Sequence, residues 1–164
     1  MISCPTLCSK KIEYPYLNIV LHEPEIPPNT GNIARLCAAA QLKLHLIEPL
    51  GFSLSDKYLK RSGLDYWEEV DLTVHNSFEN FIKTLVAESQ ILCFSRYSSE
   101  LYTSAKVGIG DYLLFGSETR GIPSAIKDKY PCFSIPMWGK VRSLNLATSV
   151  GIIAYGFLHS LERF

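Results

Sequence analysis

Short apolar runs alternate with longer stretches of helical pattern along the chain. The runs are too short for helices and are typical of buried strands. They lie at residues 17–21, 43–47, 91–94, 112–115 and 132–135, with a weaker strand pattern at 67–74. Helical patterns occupy residues 29–41, 53–61, 77–87, 123–129 and 145–161. This alternation predicts an α/β fold, with a mostly parallel sheet and helices on both of its faces.

Two of the predicted helices have too little polar surface for helices that face solvent. In the first, the expected core-facing stripe is Ile33, Leu36, Cys37 and Ala40. In the last, residues 150–158 contain no charged side chain. A helix that is apolar on all sides is expected to be buried on all sides, so we predict a homodimer in which these helices meet a second subunit. The alternative is that an N-terminal extension covers one of them.

The composition is that of a single soluble domain. The chain has 164 residues, of which 47% are hydrophobic and 20% charged, and this excludes a disordered protein. No apolar run approaches the roughly 20 residues that span a bilayer, so no membrane association is predicted. We predict that residues 1–16 are a short, poorly ordered extension and that 17–164 form one domain of a cytoplasmic protein. The net charge is zero. If the protein binds RNA, its positive charge must therefore be concentrated on one part of the surface, or doubled there by a dimer.

Common cofactor motifs are missing from the sequence. The five cysteines and four histidines show no zinc-binding spacing, so we predict no metal site. Gly108 and Gly110 precede a predicted strand, whereas the glycines of a dinucleotide-binding loop follow one. Gly139 and Lys140 are followed by Val141, so they do not form a phosphate-binding loop.

Three segments have residues that packing alone does not require. Residues 29–35 (NTGNIAR) open a helix and add an arginine, a combination that suits a phosphate. Residues 114–123 (LFGSETRGIP) leave a strand through a loop with two glycines, and 135–146 (IPMWGKVRSLNL) leave the next strand through a loop with two cations. Ligands of parallel sheets bind at the carboxyl ends of strands, which favours the last two loops. Each segment also has a purely structural alternative. The first could be a capped helix with a surface arginine, and the second an ordinary turn with an ion pair. The third could be a loop in which Ser143 or Asn145 caps the last helix.

In this order and spacing, the three segments resemble the motifs of the SPOUT methyltransferases, which use S-adenosyl-L-methionine. Residues 22–33 (HEPEIPPNTGNI), 47–52 (IEPLGF) and 61–66 (RSGLDY) are similar to one branch, the small tRNA 2′-O-methyltransferases that act on wobble nucleotide 34. The likeness extends from about Leu17 to the C-terminus. It implies a C-terminal trefoil knot and a homodimer with the active site at its interface. It also implies methylation of cytidine or uridine 34, with tRNA-Leu isoacceptors as the expected substrates.

The resemblance also implies roles for individual residues. The cofactor would be held by Phe94, Gly116, Glu118, Gly121, Ile135, Met137, Ser143 and Leu144. Glu118 would either face the sulfonium or brace the knot, and both alternatives stay open. The catalytic candidates are Arg35 and Asn145, with Asn29 and Tyr155 as supporting residues, and the RNA-binding candidates are Arg61, Lys140 and Arg142. Because free arginine is too strongly protonated to act easily as a base, we expect Arg35 to position a phosphate or stabilise a developing oxyanion.

Two other functions are compatible with the same residues. One is a SPOUT enzyme that methylates another tRNA position or rRNA. The other is an RNA-binding relative that has lost catalysis, although Arg35, Glu118, Ser143 and Asn145 argue against it. Binding of S-adenosylhomocysteine would separate the inactive relative from the enzymes.

Overall fold

A single parallel sheet organises the chain in the computed structural model, which describes residues 16–54 and 69–163. The strands of the described residues are β1 (Asn18–His22), β2 (Lys43–Ile47), β3 (Leu72–His75), β4 (Ile91–Phe94), β5 (Tyr112–Phe115) and β6 (Cys132–Phe133). The helices are α1 (Pro27–Ala40), α2 (Phe78–Ile82), α3 (Ser124–Lys127) and α4 (Leu146–Ser160). The order across the sheet is β3-β2-β1-β5-β4-β6, and every pairing is parallel. The predicted α/β class is confirmed.

The two faces of the sheet bury different side chains because successive residues of a strand point to opposite sides. In β1, Ile19 and Leu21 belong to the core under α1 and α4, whereas Val20 belongs to the core that contains Phe81 of α2 and Ile126 of α3. Both faces are therefore covered, which explains why the strands appear in the sequence as continuous apolar runs.

The first and last helices begin in different ways. Prolines occupy the first two positions of α1, where a missing N–H needs no partner, and Ile26 precedes them without a side-chain cap. The helix therefore opens earlier than the predicted start at residue 29, and Asn29 and Thr30 lie buried inside its first turn. Of the two alternatives for α4, Asn145 is the cap: its side-chain oxygen accepts hydrogen bonds from the N–H groups of the next turn.

Several predicted elements are shorter than expected, among them the helix predicted at 123–129, which spans Ser124–Lys127. The helix predicted at 77–87 ends at Ile82, because the Thr84 hydroxyl donates to the Phe81 carbonyl and the Leu85 N–H donates to Ile82 in a tighter turn. The strand predicted at 132–135 ends at Phe133, because Ser134 hydrogen-bonds to residues 100 and 102 and leaves β4. A 3-10 turn at Tyr102–Ser104 was not predicted. Most of the helix predicted at 53–61, the start of the strand at 67–74 and residues 1–15 lie outside the described residues.

The outer sides of α1 and α4 keep some apolar surface. Ile33 and Cys37 of the predicted stripe are fully buried, whereas Leu36 and Ala40 are half-buried and the neighbouring Ala34 is buried instead. On α4, the residues facing α1 and the sheet are buried, but Ile152 and Tyr155 remain 37% and 44% exposed. Among the residues that the structure describes, no helix has both the length and the apolar character to cross a bilayer.

Candidate active site

A cavity of about 440 Å³ opens where β4, β5 and β6 end. Phe94 and Phe115, the last residues of β4 and β5, stack with ring centroids 5.1 Å apart and form part of its apolar wall. All eight residues predicted to hold the cofactor line this cavity, and so does the catalytic candidate Asn145. The eight are Phe94, Gly116, Glu118, Gly121, Ile135, Met137, Ser143 and Leu144. Three segments that are distant in sequence therefore meet in one concave site.

Gly116 lies where two backbone segments touch at the cavity wall. A Cβ atom on Gly116 would lie 2.1 Å from the carbonyl carbon of Gly121 and 2.2 Å from the nitrogen of Ile122. Gly121 itself has a φ of +69°, in the left-handed region that side chains other than glycine rarely adopt. Both glycines are needed for the loop to fold back on its own strand.

The carboxylate of Glu118 binds the segment that precedes α1. It accepts hydrogen bonds from the backbone N–H groups of Glu25 (2.8 Å) and Ile26 (3.3 Å) and from Nδ2 of Asn29 (2.8 Å). These contacts favour the bracing alternative for Glu118, because its oxygens are directed at three N–H donors of the chain itself.

Glu25, in the segment before α1, also joins these two segments, and here the donors belong to the loop after β5. Its carboxylate accepts hydrogen bonds from the hydroxyl and backbone N–H of Thr119 and from Nε of Arg120, and Arg120 also pairs with Glu23 at 2.9 Å. The Thr119 hydrogen bond, helped by Arg120, lowers the pKa of Glu25. Each segment thus supplies a carboxylate that holds the other.

Asn29 extends the Glu118 contact to the third segment. Because a carboxylate only accepts, Asn29 turns Nδ2 toward Glu118, and its Oδ1 accepts a hydrogen bond from Nδ2 of Asn145 at 2.9 Å. The Oδ1 of Asn145 then accepts from the backbone N–H groups at the start of α4. A carboxylate at one end and helix N–H groups at the other fix both amide orientations. We call this series of hydrogen bonds, through Glu118, Asn29 and Asn145, the Glu118 network; it connects all three segments.

Among the described residues, the remaining predicted site residues lie outside the cavity lining. Arg35 is exposed on α1, and Lys140 is exposed in the loop before α4. Arg142 lines a second, more open concavity of about 330 Å³, together with Arg96, Tyr97 and Met137. The RNA-binding candidate Arg61 lies outside the described residues.

Sequence reasoning missed the loop that follows β4. Ser95, Arg96 and Tyr97 line the cavity, and Lys127 of α3 joins them. The signal was available: these residues directly follow a predicted strand, and the carboxyl-end rule applied to the strands at 112–115 and 132–135 applies equally here.

In residues 16–54 and 69–163, no group of three or more His, Cys, Asp or Glu side chains is placed to hold a metal ion.

The sequence matches the model of the SpoU rRNA Methylase family over residues 16–155. This chain belongs to the SpoU methylase family. The predicted relationship to the SPOUT enzymes is thereby confirmed.

Relatives within the SpoU methylase family are similar over most of their length. An Escherichia coli K12 protein named tRNA (cytidine(34)-2'-O)-methyltransferase is 44% identical over 142 residues, which covers 85% of this chain and 90% of that protein. A solved structure described as giving structural insights into the 2-OH methylation of C/U34 on tRNA is 49% identical, with a TM-score of 0.87, and covers 89% of this chain and 96% of that one.

A more distantly similar solved structure shares the fold. An AdoMet-bound rRNA methyltransferase from Sinorhizobium meliloti is 23% identical, with a TM-score of 0.80, and matches 94% of this chain but 60% of its own. The fold of this family member therefore recurs inside longer chains.

Proposed function

We propose that this protein transfers the methyl group of S-adenosyl-L-methionine to the 2′-hydroxyl of nucleotide 34 of tRNA, in the cytoplasm. The observation that carries the proposal is the single cavity in which all three motif segments meet, joined by the Glu118 network. The relatives that are 44% identical and named for this reaction support the choice of substrate.

The cavity has the properties that the cofactor requires. Its volume lies within the usual range for small-molecule sites, roughly 300–1,000 Å³. Phe94, Ile135 and Met137 offer apolar surface for a flat ring, and Gly116 and Gly121 let the backbone approach a ligand closely. Bound there, S-adenosyl-L-methionine would supply an electrophilic methyl group, and the chain would supply position and orientation.

Two residues have the main roles around the acceptor ribose. We assign Arg35 to the substrate, where its guanidinium holds a phosphate or stabilises the oxygen as it loses its proton. We assign Asn145 to positioning, because its amide is fixed between Asn29 and the first turn of α4. Lys140, Arg142 and Arg61 are proposed to contact RNA phosphates.

A homodimer with a shared active site is part of the proposal. Arg35 lies outside the cavity lining of its own chain, although Ile26, just before α1, and Asn29, in its first turn, line the cavity. Ile152 and Tyr155 leave apolar surface on α4, the helix that packs against α1. A second copy seated on this face would bury that surface and bring Arg35 of one subunit to the cavity of the other.

A C-terminal trefoil knot is also part of the proposal. The close approach of Gly116 to the backbone of Gly121 and Ile122 supports it, as do the hydrogen bonds that join the three segments. The close similarity to the solved structure described above supports it further.

The test is methyl transfer from labelled S-adenosyl-L-methionine to bulk tRNA from cells that lack the modification, with the labelled nucleosides and their positions identified by mass spectrometry. We expect 2′-O-methylated nucleotide 34, concentrated in tRNA-Leu isoacceptors. Arg35→Ala and Arg35→Lys should both lose activity, whereas Lys83→Ala, an exposed cation of α2's C-terminus, should keep it.

Other outcomes replace the proposal in defined ways. Label at another tRNA position or in rRNA would keep the chemistry and change the substrate. Binding of S-adenosylhomocysteine without transfer to any RNA would favour the inactive relative. Full activity of Arg35→Lys would exclude a role specific to the guanidinium.

A further inference from the structure

The rim of the cavity carries an exposed aromatic ring surrounded by positive charge. Tyr97, in the loop after β4, is 73% exposed. The guanidinium carbon of Arg96 lies 4.6 Å from the centroid of its ring, and Nζ of Lys127 lies 5.7 Å from the same point. The Arg96 guanidinium also donates to the Tyr97 hydroxyl. Two cations from different elements thus converge on one ring.

This ring lies between the two concavities of the site. Arg96, Tyr97 and Met137 line both of them. Arg96 also donates a hydrogen bond of 3.4 Å to the carbonyl of Arg142, which ties the loop after β4 to the loop before α4. A ligand that extends from the cavity into the second concavity would pass Tyr97.

The charge at this rim is not neutralised within the described residues. Arg120, on another side of the cavity, pairs with Glu23 and Glu25. Within residues 16–54 and 69–163, no ion pair involves Arg96, Lys127 or Arg142. Because the whole chain has no net charge, this group is a local concentration of positive charge. Cations around an exposed aromatic ring are typical of proteins that bind single-stranded nucleic acid through base stacking and phosphate contacts.

We propose that Tyr97 is a stacking platform for the unpaired base next to the methylated nucleotide, and that Arg96, Lys127 and Arg142 hold the adjacent phosphates. This inference rests on the proposed function and adds a substrate subsite to it. An RNA strand whose ribose reaches the cavity has to continue over its rim, where the ring and the three cations lie.

The first test is binding of a fluorescently labelled anticodon-arm RNA, measured by anisotropy with S-adenosylhomocysteine present. We expect Tyr97→Ala to bind the RNA about 10-fold more weakly, because one stacked base is lost. Tyr97→Phe should keep wild-type affinity. Removal of each rim cation should lower the slope of log affinity against log salt by about 0.7. The matched control is Lys106→Ala. Lys106 is exposed, and its carbonyl accepts a hydrogen bond from Gln90, the residue before β4, so the variant should change neither quantity.

The second test determines whether the Tyr97 ring stacks on a base next to nucleotide 34. An anticodon arm with an abasic site beside nucleotide 34, on one side or the other, should bind wild-type protein as weakly as intact RNA binds Tyr97→Ala. The combination of the abasic RNA with Tyr97→Ala should weaken binding no further. Unchanged RNA affinity of Tyr97→Ala would overturn the proposal, and so would weaker binding of S-adenosylhomocysteine, which would assign the ring to the cofactor. These binding results do not depend on methyl transfer, so they separate failure of the subsite from failure of the proposed function.

Discussion

Two hydrogen-bonded networks in this protein differ in location and in charge. The Glu118 network lies at the cavity, includes a carboxylate and joins segments that are 89 and 116 residues apart. A second network is buried under α2: Nδ1 of His45 lies 2.9 Å from Nε2 of His75, and Nε2 of His45 lies 3.3 Å from Oδ1 of Asn18. We call this set the histidine network. It contains no carboxylate, and its three side chains are buried.

The histidine network has one arrangement of protons that satisfies it. Nδ2 of Asn18 donates to the Gly110 carbonyl, so its Oδ1 accepts from Nε2–H of His45. Nδ1 of His45 then accepts from Nε2–H of His75. Burial, followed by the neighbouring His75 and Lys43, lowers the pKa of His45 to about 3, and burial also lowers the pKa of His75. The comparison is therefore between a neutral network inside the core and a charged network that joins the segments lining the cavity.

The largest effect is expected where the cavity wall has no spare room. Gly116→Ala should lower the free energy of unfolding by about 4 kcal/mol or more, because the new Cβ overlaps backbone that cannot move aside. Gly139→Ala is the control, since nothing lies within 4 Å of the Cβ it would add. Urea unfolding followed by circular dichroism measures both. Wild-type stability of Gly116→Ala would show that the two segments can separate.

The next-largest effect is expected when the charge of the Glu118 network is removed. Glu118→Gln should lower the unfolding free energy by about 2 kcal/mol, because an amide nitrogen faces donors that a carboxylate had satisfied. Cofactor affinity, measured by calorimetry, should fall with it. Glu100→Gln removes a carboxylate on an exposed residue after β4 and should leave both unchanged. Equal effects of the two variants would remove the distinction between the networks.

The histidine network should respond to pH and not to the cofactor. Its pKa values are lowered in the folded state, so its contribution is complete above pH 6.5 and is lost as the pH falls below that value, when the unfolded chain takes up protons first. For His45, stability should fall by up to about 1.4 kcal/mol per pH unit below pH 6.5, and His75 should add to the loss in the same direction. Urea unfolding between pH 7.5 and 5 should show a smaller slope for His45→Gln, with methyl transfer at pH 7.5 retained. An unchanged slope would show that His45 is not the group that titrates.

The smallest effect is expected at a polar group that belongs to neither network. Thr30 is fully buried in α1, and its hydroxyl has no hydrogen-bond partner among the described residues. Thr30→Val keeps the shape and removes the polar atom, so the melting temperature should stay the same or rise slightly. A clear fall in melting temperature would show that the hydroxyl is satisfied in solution, for instance across the proposed dimer.

The strands and the cavity lining were accessible from sequence for different reasons. Strands such as 43–47 and 112–115 are buried on both faces, so they stand out as short apolar runs, and their bounds are confirmed. The cavity residues Gly116, Gly121 and Ser143 were found through the likeness of their segments to a known family, together with the rule for the carboxyl ends of strands.

Contacts between distant segments were not accessible. Nothing local indicates that Asn29 meets Asn145, because that contact depends on how α1 and α4 pack. Spacing in the sequence does not pair His45 with His75; the parallel register of β2 and β3, with His45 beside Thr73, places both rings on the same face. The early end of α2 likewise depends on a tighter turn, in which Thr84 donates to the Phe81 carbonyl and Leu85 donates to Ile82.

The position of β1 at the centre of the sheet has a consequence for the order of folding. On one side it pairs with β2, which follows soon after in the chain, but on the other side Asn18 lies beside Tyr112 and Leu21 beside Phe115. During synthesis, one edge of β1 therefore stays open until most of the chain has left the ribosome. Pairings between such distant residues are slow to form, and an unpaired edge meanwhile exposes backbone to other chains. The nascent protein is most vulnerable to aggregation before β5 arrives, although the finished sheet covers that edge completely.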